Sequence, residues 1–194
     1  LLEAMGERQV TVENRTTKLS DSFFVMATQN PIEQHGTFPL PEAQLDRFTI
    51  KISLGGLSKD LEMKMIKNQL KQHPIDKLKA IINEDDLLGL KESVLNVKID
   101  DALVEYILTI AKATREHPLL KHGLSARGSL IFSKLAKAYA FVKGRDFVVA
   151  SDIYEISLPV MNHRVILTED ALFEGRDMTS ILSEILKSIR APKT

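Results

Sequence analysis

An uninterrupted apolar run at residues 23–27, rich in Phe and Val, is the feature that most restricts what this chain can fold into. Such a run predicts a strand over residues 23–28 that is buried on both faces, as in parallel sheets covered by helices. Pro31 follows and ends the strand. Ligands of such sheets bind beyond the carboxyl ends of the strands, so Asn30 falls where a phosphate or a water molecule binds. The plainer alternative is that Asn30-Pro31 is an ordinary turn.

Composition excludes several classes of protein. The chain has 194 residues, 44% of them hydrophobic, which is enough for a sizeable core. Lys plus Arg and Asp plus Glu number 26 each, so no overall field attracts nucleic acid or an acidic membrane. Cysteine is absent, which excludes disulfides and thiolate metal sites, and the five histidines show no metal-binding spacing. With no signal peptide and no membrane-length apolar run, we expect a soluble, cytoplasmic protein.

The N-terminal part predicts a helix followed by a hairpin. Residues 1–5 favour helix, and Gly6 is expected to end it. No capping residue and no initiator Met precede this segment, which is typical of a helix within a longer protein. Residues 9–12 and 16–19 flank a polar turn and predict a β-hairpin.

A loop and a second strand are expected next. Residues 31–41 hold three prolines and a glycine, which predicts a loop, and Pro41 is well placed to begin a short helix over 41–45. Residues 48–52 alternate between apolar and polar and predict a strand. Gly55-Gly56 is the clearest break in the chain, and we place a domain boundary there, between residues 1–55 and 56–194.

The second domain is expected to be entirely helical. Its predicted helices are 59–72 capped by Ser58, 84–95, 101–115 capped by Asp100, 126–143 capped by Ser125, one capped by Ser151 and bent at Pro159, and 179–189. The stripes expected to face the core are Leu61, Met65, Ile66 and Leu70; Leu103, Ile107, Ile110 and Ala111; Ile131, Leu135, Ala138 and Val142; and Leu182, Ile185, Leu186 and Ile189.

Two arginines, Arg127 and Arg47, have a position that helix electrostatics or sequence spacing alone does not explain. If Ser125 caps a helix, Arg127 is the second helical residue, where the helix dipole disfavours a cation unless an anion binds there. The alternative is a surface Arg paired with a carboxylate. Arg47 follows Asp46 at the entrance of the predicted second strand. Arg47 either forms a local ion pair with Asp46 or supplies its guanidinium to a phosphate.

Together these segments resemble the MoxR branch of the AAA+ ATPases. The resemblance covers almost the whole chain, and its most specific parts are Ala-Thr-Gln-Asn-Pro at 27–31 and Pro-Glu-Ala-Gln-Leu-Asp-Arg-Phe at 41–48. The other matching stretches are 1–5, 9–12, 24–34, 36–48, 123–127, 144–148 and 163–164. The implied fold is the end of an α/β AAA+ core, a parallel sheet remnant with a hairpin insert, followed by an all-α lid.

The resemblance implies a role for each of the three polar residues. Asn30 takes the sensor 1 position, which orients the attacking water near the γ-phosphate of ATP. Arg47 takes the arginine-finger position, which reaches the nucleotide of a neighbouring subunit, and Arg127 takes the sensor 2 position on the lid. The implied protein uses ATP and Mg²⁺, forms a homo-oligomeric ring, expected to be a hexamer, and remodels partner proteins in a chaperone-like way, often with von Willebrand A domain proteins.

The chain departs from the family pattern in two ways. The usual Gly-x-Ser-Pro-Arg-Ala is Gly-Leu-Ser-Ala-Arg-Gly at 123–128, so Gly128 should weaken the start of the helix by up to about 1 kcal/mol. No G-x-x-x-x-G-K-[ST] phosphate loop occurs in the chain. We therefore expect the phosphate loop and the magnesium ligands to lie outside it, and these 194 residues to be inactive alone.

Two alternative functions remain open. One is a ring ATPase of the same clade, such as a magnesium chelatase subunit. The other is a non-enzymatic helical binding module, because Lys134, Lys137, Lys143 and Arg145 give the helix at 126–143 and the residues after it a basic character. Zero net charge and the lack of an aromatic stacking platform argue against nucleic acid as the partner of that module.

Overall fold

The computed structural model describes residues 2–29, 41–69 and 74–192. In chain order the elements are α1 (Leu2–Glu7), β1 (Gln9–Val12), β2 (Arg15–Lys18), α2 (Glu42–Leu45), α3 (Lys59–Gln69), a 3-10 turn (Pro74–Lys77), α4 (Glu84–Leu95), α5 (Asp101–Glu116), β3 (Leu120–His122), α6 (Ala126–Val142), α7 (Ala150–Met161), β4 (Ile166–Leu167), α8 (Glu169–Phe173) and α9 (Met178–Ser188).

The N-terminal helix and hairpin form one small unit. Strands β1 and β2 pair antiparallel through a two-residue turn, in which Glu13 and Asn14 both have positive φ, as a type I′ turn requires. The Glu3 carboxylate accepts hydrogen bonds from the backbone N–H and the hydroxyl of Thr11, at 3.0 and 2.6 Å, and so holds the hairpin against α1. Gly6 does not end α1; the left-handed residue after the helix is Arg8, with φ 52°.

The predicted parallel sheet does not form within the described residues. Residues 23–29 pair with no described strand, and Phe24 and Met26 are 77% and 81% exposed. Both sheets that the described residues form are two-stranded and antiparallel, β1 with β2 and β3 with β4. A strand buried on both faces needs neighbours on both sides, and the described part of the chain offers none to this segment.

The predicted strand at 48–52 is also wrong. Residues 48–57 are in neither helix nor strand. The physical reason is that their backbone groups bond to the helical part of the chain instead of a strand: Lys51 N–H donates to Pro159 O at 2.9 Å.

The core lies in the helical part, residues 84–189. Apart from Ala4, every described apolar residue that is buried lies between Val97 and Leu186. The stripe predicted for α5 is confirmed, with all four residues at most 1% exposed. On α6 the buried apolar face is Phe132, Ala136 and Ala140 rather than the predicted stripe. The stripe on α3 is wrong where it is described, since Leu61, Met65 and Ile66 are 41–53% exposed.

The helix starts follow local capping chemistry. Asp100 and Ser125 cap α5 and α6 as predicted, accepting hydrogen bonds from Ala102 N–H and Gly128 N–H at 2.8 and 2.9 Å. Ser151 is not a cap, because α7 begins at Ala150. The Asp152 carboxylate inside that helix reaches back to the N–H of residue 149 at 2.9 Å, which stabilises the start without a capping side chain.

Candidate functional site

Residues 46–51, which we call the strap, lie along the end of α7. The strap begins directly after α2 and contains Arg47 as its second residue. Its last residue, Lys51, donates its N–H to Pro159 O, two residues before the end of α7. The strap therefore joins the N-terminal part of the chain to the helical part.

The guanidinium of Arg164 is the main contact of the strap. Its Nε donates to Asp46 Oδ1 at 3.0 Å, and its Nη1 donates to Thr49 O at 3.1 Å and to Val160 O at 2.5 Å. Its Nη2 donates to Asp46 O at 3.3 Å and to Phe48 O. All five N–H donors of the guanidinium are thus used. The side chain is 1% exposed, and its only charged hydrogen-bond partner within the described residues is Asp46.

The buried charge of Arg164 is compensated by its surroundings. Burial lowers the pKa of Arg164, and the charge of Arg127 acts in the same direction, whereas the Asp46 carboxylate raises it. Arginine stays charged under such shifts because the guanidinium is a far stronger base than the other basic side chains. The result is a buried cation held by one carboxylate and four carbonyl oxygens.

Asp46 connects the strap to the start of α6. Its Oδ1 accepts from Arg164, and its Oδ2 accepts from Ser125 Oγ at 3.3 Å. The same Ser125 oxygen accepts the N–H of Gly128 as the helix cap. The carboxylate of Asp46, the residue before Arg47, therefore bridges Arg164 and the cap of the helix that carries Arg127.

Arg127 lies exposed on the first turn of α6, as the sequence predicts. This turn contains no acidic residue, and Arg127 forms no salt bridge within the described ranges. The described residues therefore do not support the alternative in which Arg127 is a surface Arg paired with a carboxylate. An unpaired cation beside the helix N-terminus leaves this corner electropositive.

Arg47 does not pair with its neighbour Asp46, whose carboxylate is taken by Arg164. Its Nη1 instead donates to Leu2 O of α1 at 3.4 Å, and the residue is half-buried rather than exposed. The guanidinium lies directly over Gly6, where an added Cβ would be 2.4 Å from Nη1. Gly6 thus leaves room for Arg47 to cross α1.

His163 makes a further contact with the strap. Its Nε2 is 2.9 Å from Phe48 O. Burial lowers the pKa of His163, and the nearby charges of Arg164 and Lys51 act in the same direction. The neutral ring then carries its proton on Nε2, which donates to the carbonyl. Its buried Nδ1 has no hydrogen-bond partner within the described part of the chain.

The third predicted site residue, Asn30, lies outside the described residues. The structure brings the Arg47 and Arg127 segments together through Asp46 and Ser125. No group of three or more His, Asp or Glu side chains within residues 2–29, 41–69 and 74–192 could hold a metal ion. None of the helices described there is long and apolar enough to cross a membrane.

Comparison with known proteins identifies the family. Residues 1–50 match the ATPase family associated with various cellular activities (AAA), and residues 112–185 match the AAA lid domain. A solved structure of a candidate ATPase from Cytophaga hutchinsonii superposes with a TM-score of 0.91 at 36% identity, over 99% of this chain and 61% of that one. Chaperone MoxR1 of Mycobacterium tuberculosis is 38% identical over 202 residues. The chain belongs to the MoxR branch of the AAA+ ATPases.

The MoxR relatives are longer than this chain. YeaC of Bacillus subtilis is 45% identical over 192 residues, which are 99% of this chain and 60% of the relative. The match to Chaperone MoxR1 takes in the whole chain and 53% of that protein. This MoxR chain therefore spans between half and two thirds of the length of these relatives.

Sequence reasoning missed the central residue of the site. Arg164 and Asp46 lie in stretches that resemble the MoxR family, but nothing in their spacing assigned them a contact. Four of the five acceptors of Arg164 are backbone carbonyls, which leave no signature in side-chain sequence. The one available signal was a charged residue three positions after the end of a largely apolar helix, which predicts a partner for that charge elsewhere in the chain.

Proposed function

We propose that the full-length protein containing this MoxR chain is a ring-forming ATPase that remodels partner proteins. The observation that carries the proposal is the Asp46 bridge, which holds the segment of Arg47 beside the start of the helix that carries Arg127. Cations on these two linked segments suit the charge that develops on a transferred phosphoryl group. The family match supports ATP as the substrate.

Each polar residue has its own part in the proposed hydrolysis. Asn30 orients the attacking water, and Arg127 contacts the phosphates from the helical part. Arg47 leaves α1 and reaches the nucleotide of a neighbouring subunit, where it stabilises the transition state. The phosphate loop and the Mg²⁺ ligands come from parts of the protein outside this chain, since no phosphate-loop sequence occurs in it.

The action on other proteins is a proposal at the level of the family. The name of Chaperone MoxR1 supports chaperone-like remodelling. A hexameric ring, von Willebrand A domain partners and a cytoplasmic location belong to the same proposal. The hairpin of β1 and β2 is the proposed pre-sensor insert, which contacts the ring pore or the substrate, and the domain boundary at 55/56 separates the core from the lid.

Subunit mixing tests the trans action of Arg47. In the full-length protein, Arg47→Ala should keep ATP binding and lose about 10³- to 10⁵-fold in turnover, the range known for arginine fingers. Mixing Arg47→Ala subunits with subunits defective in the phosphate loop should restore activity, because some boundaries then pair an intact loop with an intact Arg47. ATPase rate is measured against mixing ratio.

One outcome of the mixing experiment would contradict this role, and a second variant tests Arg127. If mixed rings form but no ratio exceeds the activity of either parent, Arg47 does not act across the boundary. Arg127→Ala should also lower turnover, and Arg176→Ala is its matched control. Arg176 is another exposed arginine of the helical part and pairs with Glu174. Its loss should leave the rate unchanged.

A further inference from the structure

We infer that Arg164 is a positioning residue that sets the direction of Arg47 and couples it to Arg127. This inference rests on the proposed function of Arg47. The Nη2 atom of Arg164 donates to the carbonyls of both Asp46 and Phe48, the residues on either side of Arg47. The Asp46 carbonyl belongs to the planar peptide unit that contains the Arg47 nitrogen, and the Phe48 carbonyl belongs to the peptide unit after Phe48. Holding both oxygens therefore restrains the backbone on either side of Arg47.

Only an arginine can make this set of contacts. Four of its five donors bind the strap, through Asp46, Phe48 and Thr49, and the fifth binds Val160 O of α7. A lysine at the same place would keep the charge but has three donors on one nitrogen atom. It could hold Asp46, but it could not also orient the carbonyls that flank Arg47.

The side chain of Arg164 also lies against the start of α6. A Cβ at Gly128, one residue after Arg127, would be 3.3 Å from Cδ of Arg164. Asp46 adds the second link by accepting from Ser125 at the helix cap. The strap and the first turn of α6 are therefore held by one guanidinium and its carboxylate, and Arg47 and Arg127 move together as one unit.

A conservative substitution in the full-length protein separates positioning from stability. Arg164→Lys should bind ATP with a KM close to that of the wild type and lose about 100-fold in kcat, the effect expected from a displacement of about 1 Å at a catalytic group. Because Arg164 acts through Arg47, the double variant Arg47→Ala/Arg164→Lys should turn over at the rate of Arg47→Ala alone. Hydrogen exchange of residues 46–51 should become faster.

Arg145→Lys is the matched control. Arg145 also forms a two-pronged pair with an aspartate, Asp152, in the helical part, but it has no hydrogen bond to the strap. Any stability that Arg145→Lys loses should leave kcat unchanged. If Arg164→Lys fails to fold, Asp46→Asn provides the same test, since it removes the charge that holds Arg164 and keeps an acceptor oxygen.

The outcomes separate the inference from the proposed function. If Arg47→Ala turns over normally, the proposed role of Arg47 is wrong, and the inference is overturned with it. If Arg47→Ala is inactive while the folded Arg164→Lys and Asp46→Asn proteins have normal kcat, only the inference is overturned. It is also overturned if the losses of Arg47→Ala and Arg164→Lys multiply in the double variant, because Arg164 would then act independently.

Discussion

Asp46 Oδ1 and Arg164 Nε are 3.0 Å apart although 118 positions separate the two residues in the chain. The contact pairs the residue after α2 with a residue three positions after α7, and it places the only charged partner of Arg164, within the described residues, in the strap. Removing Asp46 leaves the buried charge of Arg164 without a carboxylate, and removing Arg164 leaves a partly buried carboxylate unpaired, so this pair should matter for stability as well as for the proposed function.

Arg164→Met should strongly destabilise the chain. Breaking a buried ion pair costs about 3–5 kcal/mol, and the lower end applies because the Asp46 side chain is 25% exposed and can be hydrated. Urea denaturation of residues 1–194 measures the change. The control is Arg176→Met, which removes a pair whose side chains are both 57% exposed and should change the free energy of unfolding by less than about 1 kcal/mol. Equal effects of the two variants would contradict a buried role for Arg164.

Gly123→Ala should destabilise the chain through a backbone clash. A Cβ at this position would lie 2.4 Å from the backbone N of Arg115 and 2.5 Å from the carbonyl carbon of Thr114. Neither atom can move without shifting α5, so a loss of about 1–3 kcal/mol is expected. Gly89→Ala is the matched control, because Gly89 is an exposed position within α4 with nothing within 4 Å. It should gain up to about 1 kcal/mol from helix propensity. Opposite signs in thermal denaturation are the expected result.

Acidification should loosen the strap through His163. Burial lowers the pKa of His163 in the folded chain, so the unfolded chain binds a proton more readily. The contribution of the neutral ring is therefore present above the ordinary pKa of about 6.5 and is lost as the pH falls through the lower pKa of the folded state. His163→Gln keeps a donor toward Phe48 O and does not titrate. Stability measured between pH 7 and pH 5 should fall more steeply for the wild type than for this variant, and parallel curves would rule out the role of His163.

Hydrogen exchange should divide the chain into two parts. The helices α5, α6 and α7 carry the buried core and should exchange slowest, whereas residues 23–29 and 52–57 have no described sheet partner and should exchange fast. In the full-length protein, residues 23–29 should become protected, because we expect the rest of the core to supply neighbouring strands. Uniform protection in residues 1–194, with no change in the longer protein, would contradict both expectations.

Residues 1–194 alone should not hydrolyse ATP. They contain no phosphate-loop sequence, and the cations Arg47 and Arg127 add to a phosphate cradle without replacing it. Steady-state phosphate release is measured with purified chain and with its Arg47→Ala variant. Turnover that exceeds background and disappears in the variant would show that the chain holds a complete site.

The sequence predicted the starts of α5 and α6 because their signals are local, whereas strands β3 and β4 contradict the expectation of an entirely helical second domain. Asp100 and Ser125 were expected as caps from residue type and position, and both caps form. A cap bonds to a backbone N–H two or three residues away, so nearby sequence determines it. Arg127 was placed on the first turn of α6 by the same reasoning.

The sequence failed where structure depends on distant partners. Residues 23–28 and 48–52 have strand-like patterns, but a strand forms only when another strand pairs with it. Residues 48–51 instead meet Arg164, His163 and Pro159, which lie more than 100 positions later in the chain. No periodicity in the strap could indicate these partners.

The sequence distance spanned by the strap also bears on the order of folding. The helical part is joined by contacts between elements close in the chain, which form early because little chain entropy is lost in closing short loops. The strap closes a loop of more than 100 residues. It therefore forms its hydrogen bonds only after α6 with its Ser125 cap, and α7 with Arg164 just beyond it, have folded. In a newly made chain, Arg47 would therefore reach its working position last.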